Sequence, residues 1–189
     1  MSAEPQELDP VDQADPVDPA EGTPRAAAEA RLTAYLDSVG LDWELGGRTG
    51  EYVVTLPGEK KLKTVVSVLV RDRTTSLSAF VIRNPDENHE VFYRTLLRKN
   101  VRLQGLAYAI DSDGDVYLRG EIPTVAVEAD HLDQVFGIVL SASDDVFNEL
   151  LALGFLGSMK KEWAWRVSRG ESTRNLDAFR HLLDDGSEA

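Results

Sequence analysis

Three aspartates occupy alternate positions in one segment, Asp111, Asp113 and Asp115, a spacing that could bind a cation. Calcium loops of the EF-hand type place oxygen ligands at alternate positions, a glycine at the sixth and a bidentate glutamate at the twelfth. Counted from the first aspartate, those two positions hold Val116 and Ile122. Strand-like residues flank the segment, and its Asp-Gly pair is typical of a hairpin turn. We therefore predict a turn, and a metal-assisted hydrolase built on these aspartates is the weaker hypothesis.

The usual sequence signatures of catalysis are missing from this chain. No Gly-x-x-x-x-Gly-Lys, Gly-x-Gly-x-x-Gly, Gly-x-Ser-x-Gly or His-Glu-x-x-His stretch occurs in it. The isolated histidines His89, His131 and His181 fall near predicted helix ends, which favours surface or capping roles over metal binding. The chain has no cysteine, so disulfides, thiolate ligands and a cysteine nucleophile are excluded. We expect no enzyme activity, no metal and no cofactor.

Basic side chains recur every four residues at Arg94, Arg98 and Arg102, with Lys99 beside them, on a helix predicted from about His89 to Val101. We call these four residues the basic stripe. A solvated helix face with cations toward its C-terminal end is the favoured interpretation. The alternatives are a contact for an acidic partner, for a phosphorylated or anionic small ligand, or for the acidic N-terminal tail of the same protein.

A second basic and aromatic group lies near the C-terminus and contains Trp163, Trp165, Arg166 and Arg169. Such a mixture can form a nucleic-acid surface, but a formal net charge of −13 argues against that function. We expect a helical extension that packs its tryptophans on the sheet or on another subunit. The candidate partner-binding or anion-binding residues are Arg94, Arg98, Lys99, Arg102, Trp163, Trp165, Arg166 and Arg169.

Length and composition indicate one folded core with extensions. The chain has 189 residues, of which 42% are hydrophobic, and its apolar runs are shorter than the roughly 18 residues that span a membrane. Residues 1–23 form an acidic, Pro-rich segment predicted to be a disordered tail. We expect an α+β domain over residues 24–155, a helical extension over residues 156–189, a cytoplasmic location, and no binding to membranes or nucleic acids.

The folded part is predicted to be organised around a central hairpin at Thr64 to Ile82, where two β-branched and apolar runs flank a polar link. Thr23 and Pro24 predict the start of a first helix. The other strands are predicted at Glu51 to Leu56, with a short one possible at Trp43 to Leu45, at Leu106 to Ile110 and at Val116 to Ile122.

Three helical features complete the predicted fold. In the basic helix, Asn88 is the expected cap, and the inner face is expected to include Phe92, Leu96 and Leu97, joined by Tyr93 and Val101. A continuous apolar stripe from Asp130 to Leu153 predicts one helix of about 36 Å that covers the sheet, with Asp144 on its outer side. Two short helices are predicted at Ser158 to Ser168 and Thr173 to Leu183.

The predicted order is α-β-β-β-α-β-β-α plus C-terminal helices, over about residues 24–155. This order resembles that of the YbjN-domain proteins, a bacterial family whose fold is similar to the type III secretion chaperones. The stretch EWAWRVSRGESTRNLDAFRHLL is similar to the extension of actinobacterial members. The resemblance implies an antiparallel sheet with packed helices, no enzyme activity, and a role in regulation or protein binding. Secretion chaperones dimerise and wrap extended partner segments, which implies a homodimer.

Two functions follow as hypotheses. The first is a non-enzymatic, cytoplasmic protein-binding module, chaperone-like or a regulatory adaptor. The second is a sensor of a phosphorylated or anionic small ligand that uses the basic stripe.

Overall fold

The computed structural model describes residues 22–183, so nearly all of the predicted acidic tail lies outside the described residues. The strands are β1 (Asp42–Leu45), β2 (Glu51–Pro57), β3 (Lys63–Val70), β4 (Thr74–Ile82), β5 (Leu106–Ile110) and β6 (Val116–Pro123). The helices are α1 (Pro24–Val39), α2 (His89–Asn100), α3 (Ala129–Asp144), α4 (Phe147–Gly154), α5 (Leu156–Arg169) and α6 (Arg180–Leu183). Two 3-10 segments lie at Thr124–Ala126 and Arg174–Phe179.

The strands form one six-stranded antiparallel sheet in the order β1-β2-β3-β4-β6-β5. The predicted α+β class is confirmed, and the predicted element order is matched with the short strand β1 included. The hairpin of β3 and β4 occupies the middle of the sheet, as its apolar runs predicted. Its polar link is shorter than expected, because β4 begins at Thr74.

The helices pack on one face of the sheet. Helix α1 contacts β3, and α3 contacts β3, β4 and β6, so that one core joins both layers. Strand β2 shows the resulting alternation, because it buries Tyr52, Val54 and Leu56 and leaves the residues between them half-buried. The opposite face is polar along the row Ser67, Ser78 and Arg119. Antiparallel sheets commonly bury one face and solvate the other in this way.

The start of α1 agrees with the sequence prediction, whereas the start of α2 does not. The Ala26 amide donates to Thr23 Oγ1 at 3.1 Å, which is an N-cap. Asn88 precedes α2 in a left-handed conformation with φ of 56°, and its side chain makes no cap hydrogen bond. Its Nδ2 instead donates to the Leu153 carbonyl oxygen at 3.0 Å. Asn88 therefore joins α2 to α4, and the predicted capping role is wrong.

The prediction of one long helix from Asp130 to Leu153 is also wrong. The chain forms α3 and α4, which are separated by a turn at Asp145 and Val146. Asp144 ends α3, and it is buried rather than on the outer side. Its carboxylate accepts the backbone amides of Lys60 at 3.0 Å and Lys61 at 2.8 Å. The hydrophobic stripe continues through the break, which is why apolar periodicity alone predicted a single helix.

The C-terminal residues form α5, followed by the 3-10 segment Arg174–Phe179 and α6, which together we call the hook. Helix α5 confirms the first short helix that was predicted there. The second prediction, Thr173 to Leu183, is corrected to a 3-10 segment followed by the four-residue helix α6. Met159, Leu176, Phe179 and Leu183 close into a second apolar cluster against the end of α4. Because Met159 of α5 belongs to this cluster, the hook packs against α5.

Candidate interaction surfaces

An apolar surface is exposed where α2 lies beside β5, and we call it the edge surface. It consists of Leu97, Val101 and Ile110, whose exposed fractions are 67%, 87% and 55%. A cavity of about 320 Å³ lies within it, lined by Tyr93, Leu96, Leu97, Tyr108, Ala109 and Ile110. Strand β5 is the last strand of the sheet and has no strand partner on its outer side in the described part of the chain. At its middle, however, the Tyr108 amide donates to Asn100 Oδ1 at 2.7 Å and Asn100 Nδ2 donates to the Tyr108 carbonyl oxygen at 3.3 Å, so only part of this edge is open. Unpaired strand edges and exposed apolar patches are both features of interaction sites.

The edge surface corrects the predicted inner face of α2. Phe92 and Leu96 are buried as expected, and Tyr93 is half-buried. Leu97 and Val101 point away from the core, because α2 packs over the end of the sheet and β5 covers only one side of the helix. Burial raises the pKa of Tyr108, whose hydroxyl donates to the Ala142 carbonyl oxygen at 2.6 Å. This hydrogen bond fixes β5 to α3 beneath the exposed surface.

The basic stripe is partly neutralised by neighbouring acids. Arg94 pairs with Glu90 on the same helix, and Lys99 Nζ lies 2.8 Å from Glu149 Oε2 on α4. Arg98 and Arg102 are exposed, and neither takes part in an ion pair within residues 22–183. The structure therefore leaves two free guanidinium groups where the sequence suggested four available cations. The role of the stripe as a binding site stays a prediction.

The two C-terminal tryptophans of α5 have different environments. Trp163 packs against the second apolar cluster, with the Arg180 guanidinium 5.7 Å from its ring centre. Trp165 is 45% exposed, and Arg169 lies 5.2 Å from its ring. That cluster contains no strand residue, so the predicted packing of both tryptophans on the sheet is not observed.

The Arg166 side chain makes hydrogen bonds that hold the segment after α5 against that helix. Its Nε donates to Glu162 Oε1 at 2.6 Å, and its Nη1 donates to the Ser172 carbonyl oxygen at 2.9 Å. Of the four C-terminal candidates, Trp165 and Arg169 therefore remain on the surface as residues that a partner could contact.

An apolar cavity of about 510 Å³ lies between β4 and α5, and no sequence pattern predicted it. Its walls include Phe80, Ile82, Phe147, Leu151, Phe155, Met159 and Leu176. Lys61 lines its rim, donates to the Phe80 carbonyl oxygen and lies 5.3 Å from the Phe80 ring centre. Desolvation lowers the pKa of Lys61 to about 8, against the attraction of Asp144. Lys61 is half-buried.

Asp144 fixes the loop that carries Lys61. Partial burial alone would raise the pKa of this carboxyl group, but the backbone amides of Lys61, Lys60 and Glu59 together lower it. Gly58 lies so close that an added Cβ would sit 2.5 Å from Asp144 Oδ1. No local sequence pattern predicted this contact, because the amides that Asp144 accepts lie in a distant segment of the chain.

The three alternating aspartates form a hairpin turn between β5 and β6, as predicted. Asp111 Oδ1 accepts the backbone amides of Asp113 and Asp115 at 3.0 Å each. Asp115 Oδ1 accepts the Asn84 amide at 2.8 Å, which ties the turn to the end of β4. Gly114 has φ of 84°, the left-handed conformation that such turns require. Within residues 22–183 no group of three or more His, Asp or Glu side chains is arranged to hold a metal.

Comparison with known proteins identifies the family. The sequence model of the YbjN family, described as "Putative bacterial sensory transduction regulator", matches residues 29–152. The chain belongs to the YbjN family. A Mycobacterium bovis relative, "Uncharacterized protein Mb0497", is 51% identical over 137 residues, which are 72% of this chain and 75% of the relative.

Solved structures confirm the fold of the YbjN domain. A chain of the ExsC-ExsE complex matches with a TM-score of 0.51 at 18% identity, covering 67% of this chain and 95% of that chain. The Yersinia Pestis type III secretion chaperone SycH, in complex with a fragment of YscM2, gives a TM-score of 0.43 at 15% identity, covering 67% of this chain and 98% of that one.

The edge surface and the basic stripe lie inside the part of the chain that matches the family, whereas Trp163, Trp165, Arg166 and Arg169 lie beyond it. None of the described helices is long and apolar enough to cross a membrane.

Proposed function

We propose that this YbjN protein is a non-catalytic protein-binding module, chaperone-like or regulatory, that works as a homodimer. The observation that carries the proposal is the edge surface, where exposed apolar side chains adjoin the partly open edge of β5. Surfaces of this kind bind other chains by strand addition or by helix packing. The cytoplasmic location and the division into a domain at residues 24–155 with an extension at residues 156–189 stay predictions.

The charges of α2 support pairing with a second copy. Glu90 lies in the first turn of this helix, and Arg98 and Lys99 lie in the last. A two-fold axis perpendicular to α2 would set the α2 helices of two copies antiparallel, with the same patch of each subunit meeting in the interface. The acidic end of one helix would then face Arg98 and Arg102 of the other. Two β5 edges related by the same axis would lie antiparallel, with the outward groups of Leu106 and Ile110 available for pairing, because Asn100 already holds those of Tyr108.

The comparisons support a binding function at a coarse level. The family description names a sensory transduction regulator, and the ExsC-ExsE structure, which shares the fold, is by its name a complex. The turn at residues 111–115 has the residue pattern that most resembles a metal site in the described chain. There Asp111 Oδ1 accepts the backbone amides of Asp113 and Asp115.

Sedimentation of the full chain over a wide concentration range tests the dimer. The wild type should sediment as a dimer, and the double variant Leu97→Glu/Val101→Glu should be a monomer, because it buries two charges at the interface. Val39→Glu is the matched control, since Val39 is also exposed but lies at the end of α1. A wild type that stays monomeric at every concentration, or a dimer unaffected by the double variant, would contradict the proposal.

A photo-crosslinking residue at position 109 tests for a further partner, because Ala109 lines the edge surface without being central to it. In cell extract it should attach either the second copy or another protein, and mass spectrometry distinguishes the two. The absence of any crosslinked protein would refute a binding role for this surface.

The second function, an anion sensor based on the stripe, rests on Arg98 and Arg102, which are exposed and free of ion pairs in the described chain. Nucleotides and sugar phosphates should raise the melting temperature if it is correct. Arg98→Glu should abolish that rise, and an unchanged melting temperature throughout would dismiss the sensor.

A further inference from the structure

The polar face of the sheet, opposite the helices, carries a groove with a cavity of about 400 Å³. Three arginines line it, Arg48, Arg71 and Arg119, together with the strand serines. Ser67, Ser78 and Arg119 lie in one row across β3, β4 and β6, because these residues are register partners. We call this the serine–arginine groove.

The cations of this groove are more available than those of most of the protein. Arg71 and Arg119 have no carboxylate partner in the described chain, although Arg119 stacks near the Tyr117 ring at 5.6 Å. Arg48 pairs with Glu51 at 2.6 Å and also donates to Ser67 Oγ at 3.2 Å. Glu121 is the one acid that lines the groove. A positively charged groove is unusual in a chain whose formal net charge is −13.

The acidic segment that precedes the fold enters at the same end of the sheet. The described chain begins at Gly22, and α1 follows at Pro24. Arg25 of this first turn approaches Gly50, beside the Val70 carbonyl oxygen. Val70 is the last residue of β3 and adjoins Arg71 of the groove. The described chain therefore begins near the end of the groove.

The tail matches the groove in charge and in repeat. Residues 1–21 contain seven acids and no Lys or Arg, and the last five acids recur every third residue: Asp9, Asp12, Asp15, Asp18 and Glu21. A Pro-rich chain in the polyproline II conformation repeats every three residues, so such acids would share one side at intervals of about 9 Å. Strands two apart in a sheet are separated by about 9.6 Å. Arg119 lies on β6, and Arg48 donates to Ser67 Oγ on β3. These two positions are therefore two strands apart in the sheet.

We propose that residues 1–21 dock in the serine–arginine groove of their own chain, with the three-residue repeat of carboxylates set across the strands against Arg71, Arg119 and Arg48. Tethering makes a weak contact sufficient. A short flexible linker gives an effective concentration of about 1 mM, so a contact with a dissociation constant of the same order is filled about half of the time. The basic stripe also attracts acids, but half of its cations already have partners.

A spin label on the tail of the full-length protein tests the proposal. The chain has no cysteine, so Ala14→Cys creates a single labelling position and keeps every tail acid. Because a weak contact exchanges rapidly, the amide signals of Ser67, Ser76 and Ser78 should be strongly broadened by paramagnetic relaxation even at half occupancy. Raising the salt to about 1 M, where the Debye length is about 3 Å, should restore them.

Two charge reversals locate the contact. Arg71→Glu/Arg119→Glu should restore the signals, whereas the matched double variant on the stripe, Arg98→Glu/Arg102→Glu, should leave them broadened. If the groove variant fails to fold, neutralising Glu7, Asp9, Asp12 and Asp15 in the tail provides the same test without altering the sheet.

Three results would overturn the docking: broadening on α2 in place of the groove, no broadening on the sheet, or broadening that survives both the groove variant and neutralisation of the tail. Broadening in a mixture of labelled protein and isotope-enriched unlabelled protein would also refute it, because the tail would then be bound by another copy.

Discussion

Replacing Asp144 by alanine should destabilise the protein far more than replacing its neighbour Asp145. The Asp144 carboxylate accepts the amides of Lys60 and Lys61 from the loop between β2 and β3, and the side chain is buried. Asp145 is exposed, and its carboxylate only pairs with Lys60 Nζ at 3.2 Å. Comparing the two adjacent residues therefore distinguishes the loss of a buried hydrogen-bond acceptor from the loss of a surface ion pair.

The magnitudes follow from these contacts. Hydrogen bonds to a charged group contribute about 1.5–3 kcal/mol, and losing the acceptor leaves backbone amides unsatisfied. Water can reach the exposed side of Lys60, so we expect Asp144→Ala to lower the free energy of unfolding by about 2–3 kcal/mol. Asp145→Ala removes an exposed ion pair and should cost about 0.5 kcal/mol or less. Asp144→Asn keeps one acceptor oxygen and should fall between them.

Urea unfolding followed by circular dichroism measures all three variants. The slope with denaturant should be the same as in the wild type, because the variants leave the buried surface nearly unchanged. Equal losses for Asp144→Ala and Asp145→Ala would refute the claim that Asp144 fixes the loop between β2 and β3, as would a loss for Asp144→Ala within the error of the fit.

Two further predictions concern single side chains. Because the pKa of Lys61 is lowered, the folded state binds fewer protons than the unfolded state above pH 8. The free energy of unfolding should therefore rise by about 1 kcal/mol between pH 8 and 9.5, after allowance for solvent screening. Urea titrations at each pH should show this rise in the wild type, and Lys61→Met should remove it. Thr23→Ala should lower the free energy of unfolding by about 1 kcal/mol through loss of the α1 cap, whereas Thr23→Ser should keep most of it; equal effects of the two would show that the hydroxyl does not cap.

Local patterns predicted most of the architecture. The apolar runs of β3 and β4 indicated the central hairpin, and the Thr23-Pro24 pair indicated the start of α1. The Asp-Gly pair indicated the turn between β5 and β6. Each of these signals acts over a few neighbouring residues, which is why the sequence contains them. The order of the elements along the chain was predicted from these patterns, and it matches the structure.

The errors occurred where distant residues decide the structure. The break between α3 and α4 adjoins Asp144, whose partners lie more than eighty residues earlier in the chain. Leu97 and Val101 have the spacing of buried residues, but α2 lies at the end of the sheet and nothing in the described chain covers them. The groove of Arg48, Arg71 and Arg119 draws on three separate segments, so no single stretch of sequence could reveal it.

Amide hydrogen exchange on β5 tests the proposed binding surface most directly. Alternate amides of Leu106–Ile110 point toward β6, and the others point to the open edge of the sheet. At protein concentrations that favour the dimer, the outward amides of Leu106 and Ile110 should exchange slowly, and dilution or the Leu97→Glu/Val101→Glu variant should make them fast. The outward amide of Tyr108 donates to Asn100 Oδ1 in the single chain and is the internal reference. Outward amides that exchange fast at every concentration, while the dimer persists, would show that the edge surface is not where this YbjN protein binds.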